Sequence, residues 1–249
     1  MCTVTWRAHA DGFELFFNRD ERHTRPPEAA PEIAERAGVR WLAPRDGAAG
    51  GTWIGANDRG LALALLNRYV PDAGPARPEF RSRGLLVMDL FDALHASEVG
   101  ERLAETDLKR YRPFSLLAVD PNARARLFEW TGYALEEDPH ALTRLPLASS
   151  SFDQSAARVQ RRQLFEDMLA ATGGELTAAL QSAFHHSHAG GPGPFSVCMH
   201  RPDAETRSFT RLTVRAGEVE MLYRAGAPCS VAADARFLLP RRRTVAAGR

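Results

Sequence analysis

Lysine is almost missing from this chain: of its 32 basic residues only Lys109 is a lysine, and the rest are arginines. With alanine abundant, that skew reads as coding bias of a GC-rich source rather than as phosphate recognition. A charge surplus is missing too, because 31 acidic residues leave a net charge of +1. Nucleic-acid binders carry a clear positive excess on one face, so the composition argues against that class of partner. Cysteine is scarce. Cys2, Cys198 and Cys229 form an odd set without close spacing, which argues against a disulfide framework and against a zinc site. No apolar run approaches the length of a bilayer span. The opening Met1-Cys2-Thr3-Val4-Thr5-Trp6-Arg7 has no basic region followed by an apolar core, so it is not a secretory signal. These absences predict a cytoplasmic protein with no membrane span, no metal and no resident cofactor, whose partner is a small-molecule substrate or ligand.

What is present is ordinary globular material. With 249 residues, 44% hydrophobic and 25% charged, the chain can bury a substantial core as one domain over 1–249. Cys2, Val4 and Trp6 alternate with Thr3, Thr5 and Arg7, which is strand periodicity. Asp11-Gly12 separates this run from Phe13-Glu14-Leu15-Phe16-Phe17 and signals a hairpin. A two-residue Asp11-Gly12 loop would set Cys2 opposite Glu21. A loop from His9 to Gly12 would pair Ala8 with Phe13 and set Cys2 opposite Arg19. Either register brings Cys2 beside Asn18-Arg19-Asp20-Glu21.

Residues 22–50, rich in Pro, Ala and Gly, read as a loop with a short helix. Gly60 to Asn67 is a continuous apolar run after a glycine turn, consistent with a strand buried on both faces. Residues 71–82 read as a Pro/Gly/Arg loop. Leu86, Leu90 and Leu94 give helical spacing over Ser82–Ala96, and a second helix is expected over Ser97–Glu105. Strands are expected over Phe114–Val119 and Arg126–Trp130, and helices over Ser155–Ala171 and Gly174–His186. Phe195–His200, Thr206–Val214 and Val219–Tyr223 then read as strands, and residues 240–249 as a frayed tail. Strands, helices and strands again, with no βαβ repeat, predict an α+β layered sandwich.

Cys2 carries the chemistry. Position 2 tolerates removal of the initiator Met1, which would leave a thiol and a free α-amine on one residue. Their reference pKa values, about 8.5 and roughly 7.7–8.0, differ so little that moving the proton from sulfur to nitrogen costs on the order of 1 kcal/mol. Such a residue carries its own base. A thiolate also needs positive charge nearby, and an ammonium needs an acceptor. Arg19 and Asp20 offer one of each. Asn67, at the end of its strand, could donate an amide N–H to an oxyanion.

Met1-Cys2-Thr3, Asn18-Arg19-Asp20-Glu21 and Gly51-Thr52-Trp53-Ile54-Gly55 together resemble the NRDE family, also called the transport and Golgi organisation protein 2 family. That family is similar to N-terminal nucleophile hydrolases, most closely the penicillin V acylase and bile salt hydrolase branch. The resemblance implies a four-layer αββα sandwich and hydrolysis of a linear non-peptide amide through an acyl-enzyme. It implies Cys2 as nucleophile, Arg19 and Asp20 beside it, Asn67 as oxyanion donor, and Arg207 as a late-strand arginine near the site. Where the acylases carry a second asparagine, this chain has Ser149-Ser150-Ser151. The alternative implied by the family is a non-catalytic carrier of haem or an acyl-lipid. His185, His186 and His188 could be metal or haem ligands, but read better as a polar helix end suited to the helix dipole. Cys198 and Cys229 read as structural cysteines.

Overall fold

The computed structural model describes residues 2–70 and 80–242. Among these residues thirteen strands are arranged in two antiparallel sheets. In chain order the elements are β1 (Cys2–His9), β2 (Gly12–Arg22), β3 (Ala29–Arg36), β4 (Val39–Arg45), β5 (Ile54–Asn57), β6 (Ala62–Asn67), α1 (Arg83–Leu90), α2 (Ala96–Glu105), β7 (Phe114–Val119), β8 (Ala125–Trp130), β9 (Leu135–Asp138), β10 (Leu147–Ser149), α3 (Gln154–Ala171), α4 (Ala178–His186), β11 (Ala204–Arg215), β12 (Glu218–Ala225) and β13 (Ala235–Pro240). The first sheet runs β10-β1-β2-β11-β12-β13, the second β3-β4-β5-β6-β7-β8-β9.

Alternation along each strand builds the layers. Val4, Trp6, Leu15 and Phe17 share one core cluster with Ile54, Ala64, Leu66 and Leu117, which fills the space between the sheets. The opposite face of β6, with Leu61 just before it, supplies Leu61, Leu63 and Leu65 to a second cluster with Leu86, Leu90, Val99 and Leu103 of α1 and α2. On the outer face of the first sheet, α3 and α4 pack against β10 and β2. The result is an αββα sandwich, and the continuous burial of β6 follows from its being covered on both sides.

Several expectations need correction. Residues 22–50 hold two strands, not a helix. Arg36 pairs with Val39 across a two-residue turn in which Ala37 and Gly38 both have positive φ, 50° and 75°, the geometry that suits a hairpin's twist. The helix expected over Ser82–Ala96 stops at Leu90. Its end is claimed by side chains: Arg36 donates to the carbonyls of Met88 and Asp89, and Asn57 to those of Phe91 and Ala93, which satisfies groups a helix terminus leaves open. Leu94 is consequently exposed.

Phe195–His200 forms no strand, apart from one bridge between His200 and Glu205. The tail does not fray from residue 240 onwards. Pro240 closes β13, Arg241 donates to the carbonyls of Arg215 and Arg59, and Arg242 pairs with Asp58 at 3.0 Å. Residues 71–79 and 243–249 of the expected loop and tail lie outside the described residues. No helix among the described residues is long and apolar enough to cross a membrane.

The β1–β2 hairpin takes the second of the two registers: Ala8 faces Phe13 and Cys2 faces Arg19, with Ala10 and Asp11 in the turn. Gly12 makes this possible. Its φ is +146°, and a Cβ there would lie 2.0 Å from the carbonyl oxygen of Val214 on the neighbouring β11. Gly12→Ala should therefore destabilise the fold by at least about 2 kcal/mol. Urea unfolding is expected to show a lower midpoint at unchanged m-value; an unshifted midpoint would contradict the register.

Candidate active site

A cavity of about 320 Å³ opens where the ends of β1, β2 and β6 meet the start of α1, and Cys2, Arg19, Asp20 and Asn67 all line it. Arg207 does not. It is the extra residue of a bulge in β11, where the register shifts between Thr206 opposite Asp20 and Ser208 opposite Arg19. Bulges re-aim side chains in this way, and Arg207 is placed off the cavity wall.

Alternation divides the Asn18-Arg19-Asp20 run between two faces. Arg19, directly across from Cys2, points into the cleft between the sheets. Its guanidinium meets Asp46 at 2.7 Å and Glu28 at 3.1 Å and lies 4.3 Å over the Trp53 ring. Asp46 is a hub, also accepting from Arg25 at 2.8 Å and from the backbone N–H groups of Ala48 and Ala49. Burial would raise its pKa, but the bonds from Arg25 and those backbone groups prevail and hold it below the usual carboxylate range.

Asn18 and Asp20 point the other way, towards the helices. Asp20 accepts from Thr206 Oγ1 at 2.7 Å and pairs with Arg161 of α3 at 3.4 Å, with both side chains fully buried. Arg161 also donates to Thr3 Oγ1 and to the carbonyls of Phe195 and Ser196. Nothing in the sequence distinguished Arg161 from the other arginines of its helix, and its role emerges only from the packing.

Asn18 Nδ2 donates to the carbonyls of His185 and Val197, and its Oδ1 faces His185 Nδ1 at 3.0 Å. An amide oxygen only accepts, so Nδ1 carries the proton and Nε2 accepts from Thr5 Oγ1 at 3.0 Å. Thr5 Oγ1 in turn accepts from Gln181 Nε2. The histidine run is thus divided. His185 is a fully bonded core side chain, His186 bonds the Ser182 carbonyl within its own helix, and His188 faces His200, Cys198 and Cys229.

Cys2 is buried, and that burial pushes its thiol pKa up; Asp20 adds to the effect while Arg19 opposes it. At neutral pH the resting sulfur is therefore protonated. Met1, and with it the question of its removal, lies outside the described residues. Beside Cys2, β10 sets Ser149 directly opposite. Ser149 Oγ is buried and has no hydrogen-bond partner among the described residues. Ser150 is also buried, whereas Ser151 is exposed. Asn67, half-buried, donates to Tyr69 Oη at 3.3 Å. The remaining wall includes Arg25, Arg81, Arg83 and Arg112, so five arginines share the cavity with the carboxylates of Glu21 and Asp46, while that of Asp20 turns away to Arg161. Among the described residues Arg83 has no carboxylate partner and donates to the Pro113 carbonyl. Burial, together with nearby Arg112, lowers its pKa to about 10.

Solved structures that share this architecture include the following three. A C2A mutant of conjugated bile acid hydrolase from Clostridium perfringens matches with a TM-score of 0.56 at 12% identity, covering 98% of this chain and 97% of its own. Penicillin V acylase from Agrobacterium tumefaciens gives 0.54 at 11%, covering 96% and 86%. The N-acylethanolamine-hydrolyzing acid amidase ortholog from Caenorhabditis elegans gives 0.55 at 11%, covering 85% and 92%. At such identities the likeness concerns the fold, which is the sandwich of the N-terminal nucleophile hydrolases. The family model described as Transport and Golgi organisation 2 matches residues 1–189, and the chain belongs to that family. The mouse Transport and Golgi organization 2 homolog is 30% identical over 131 residues, 52% of this chain; the match spans 46% of the mouse protein, less than half its length.

Burial holds the His185 pKa down to about 3, against its ordinary 6.5. Its neutral form is favoured by the fold, so this stabilisation is complete above pH 6.5 and is lost progressively as pH falls from there towards 3. One proton contributes a slope of about 1.4 kcal/mol per pH unit in that window. His185→Gln should lower stability at pH 7 yet flatten the slope below pH 6.5 by about one proton, read from urea melts between pH 4.5 and 7.5. Equal slopes in the two proteins would refute the buried neutral imidazole.

Proposed function

We propose that the chain is a cysteine-nucleophile hydrolase acting on a linear, non-peptide amide through an acyl-enzyme. The observation that supports this reading best is that Cys2, Arg19, Asp20 and Asn67 line a single cavity in an N-terminal nucleophile hydrolase sandwich.

The chemistry starts from a protonated thiol that needs a base. With Met1 removed, the Cys2 α-amine is that base, at little cost in proton transfer. Sγ attacks the amide carbonyl carbon as its proton passes to the amine. Asn67 Nδ2 and a backbone N–H hold the oxyanion. The C–N bond breaks, the leaving nitrogen takes the proton from the ammonium, and a thioester remains on Cys2. Water, deprotonated by the same amine, releases the acid and restores the thiol. Ser149 Oγ, beside Cys2 and without a partner among the described residues, is a candidate second donor. Arg19 orients the strand pair more than it charges the thiolate, because Asp46 and Glu28 already compensate it.

The wall also suggests a substrate class. Among the described residues Arg83 lacks a carboxylate partner and sits in a cationic rim, which favours a substrate carrying a carboxylate, sulfonate or phosphate. A specific observation favours a second reading as well: a protonated thiol beside a neutralised arginine suits a carrier that holds an anionic ligand, haem or an acyl-lipid among them, without turnover.

Cys2→Ala should abolish both turnover and labelling by a thiol-directed acylating reagent, read as an added acyl mass on the intact protein. Asn67→Ala should keep the labelled residue but slow acylation by about 10²–10³. The wild-type mass should lack Met1. Labelling that persists in Cys2→Ala would overturn the reading, and a wild type that binds but never acylates would leave the carrier. Across a panel of matched amides, Arg83→Leu should raise KM roughly tenfold for anionic members and leave neutral ones unchanged; uniform effects would remove the anionic preference.

A further inference from the structure

We propose that His188, Cys198, His200 and Cys229 form a structural zinc site, separate from the Cys2 cavity and independent of amide hydrolysis. Their ligand atoms all lie within 4.8 Å of one another. His200 Nε2 is 3.2 Å from His188 Nε2, 3.5 Å from Cys198 Sγ and 3.4 Å from Cys229 Sγ. A tetrahedral zinc with bonds of about 2.0–2.1 Å to nitrogen and about 2.3 Å to sulfur has edges of roughly 3.3 Å between nitrogens and roughly 3.6 Å between nitrogen and sulfur. The three separations from His200 Nε2 fall within about 0.2 Å of those edges.

Hydrogen bonding accounts for only part of the arrangement, in which Cys198 and Cys229 are also within bonding reach of each other. A neutral imidazole nitrogen offers one hydrogen or one lone pair. His200 Nε2 faces three atoms and can satisfy one of them. Four lone-pair donors converging on a point are satisfied together by a cation. Two thiolates balance the charge of a divalent ion, and two sulfurs with two nitrogens in a tetrahedron select zinc by softness and geometry.

The ligands are held in place by the surrounding fold. His188 follows α4, Cys198 and His200 lie in the irregular segment before β11, and Cys229 is in the loop between β12 and β13. Cys198 N–H donates to the Ser187 carbonyl, which fixes the approach of His188. Met199 N–H donates to Thr206 Oγ1 at 2.8 Å. Arg224 grips the carbonyls of Pro228 and Ser230, on either side of Cys229. Four protein ligands leave no open position, so the ion fastens two loops together and does not take part in chemistry at Cys2. The expectation of no metal rested on the odd cysteine count and the lack of close spacing between cysteines, whereas these ligands, two of them histidines, come from separate loops.

The test is the metal content of the reduced, folded protein by mass spectrometry. Close to one zinc per chain is expected in the wild type and in Cys2→Ala, and less than a tenth of that in Cys198→Ser and Cys229→Ser. Cobalt added to the chelator-stripped protein should give tetrahedral d–d bands with thiolate charge transfer, discharged by one equivalent of zinc. A second measurement needs no variant. Cys229 is exposed, so its alkylation should be slow until a chelator is added and then accelerate at least tenfold. Absence of bound zinc together with absence of a cobalt spectrum would overturn the proposal. So would zinc retained in the Cys198→Ser/Cys229→Ser double variant, or chelator-independent alkylation.

Discussion

Residues opposed across an antiparallel pair share a face, so the register of one hairpin determines what the first cysteine meets. With Cys2 opposite Arg19, the thiol and the guanidinium both face the cleft between the sheets, and Val4, Trp6, Leu15 and Phe17 fall into the core behind them. A slip of one residue would turn that apolar set out towards the helices. A slip of two, the alternative the sequence allowed, would keep the core but put the Glu21 carboxylate against the sulfur. The backbone conformation of Gly12, pressed against β11, decides between them. Everything assembled at the mouth of the sandwich, including Trp53 beneath Arg19 and Asn67 at the end of β6, presupposes that register.

The other face of the same two strands is polar and buried, which is costly unless every group is bonded. Thr3, Thr5, Asn18 and Asp20 meet Arg161, Gln181 and His185 from the helices, and the bonds described above engage all of these side chains, with Gln181 Oε1 the one oxygen among them left without a partner among the described residues. Removing either partner of the Arg161–Asp20 pair would strand a charge in the interior, a loss of about 3–5 kcal/mol in comparable cases. The tetrapeptide that marks the family is therefore two devices interleaved by strand alternation. Arg19 serves the cleft, while Asn18 and Asp20 anchor the helical layer and the chain segment before β11.

That segment explains what the sequence concealed. Phe195 to His200 is apolar and largely buried, so it read as a strand, yet its carbonyls at Phe195, Ser196 and Val197 are taken by Arg161 and Asn18 rather than by a ladder. The missed β3 is an edge strand carrying Glu32, Glu35 and Arg36, charges that protect an edge but erase alternation. Its Ala37-Gly38 turn lacks the asparagine or aspartate that flags such hairpins. The strands that were legible, β1, β2, β6, β7, β8, β11 and β12, are those in which apolar alternation or a continuous apolar run marks the buried face. Cys2, Arg19, Asp20 and Asn67 were legible because a hairpin and a strand end place them by local rules. Arg161, Asp46 and the His188–Cys229 cluster depend on contacts far apart in the chain, which no spacing reveals.

The three cysteines occupy two electrostatic settings, and the contrast bears on how one chain keeps a reactive thiol apart from metal. Cys2 sits among arginines, carboxylates and amides, with no imidazole or second thiol among the residues that line its cavity. Burial keeps it protonated, which makes it a poor metal ligand but a usable nucleophile once a base is at hand. Cys198 and Cys229 are instead placed with two imidazoles, where losing a proton is rewarded only by a cation. The segment between the two settings, through Ser196, Val197 and Met199, bonds to Arg161, Asn18 and Thr206, and Arg161 and Thr206 both reach Asp20. A loop clamped by zinc would thus stiffen the polar layer behind the cleft, and it would bear on the Cys2 thiol only indirectly, through the position of Asp20.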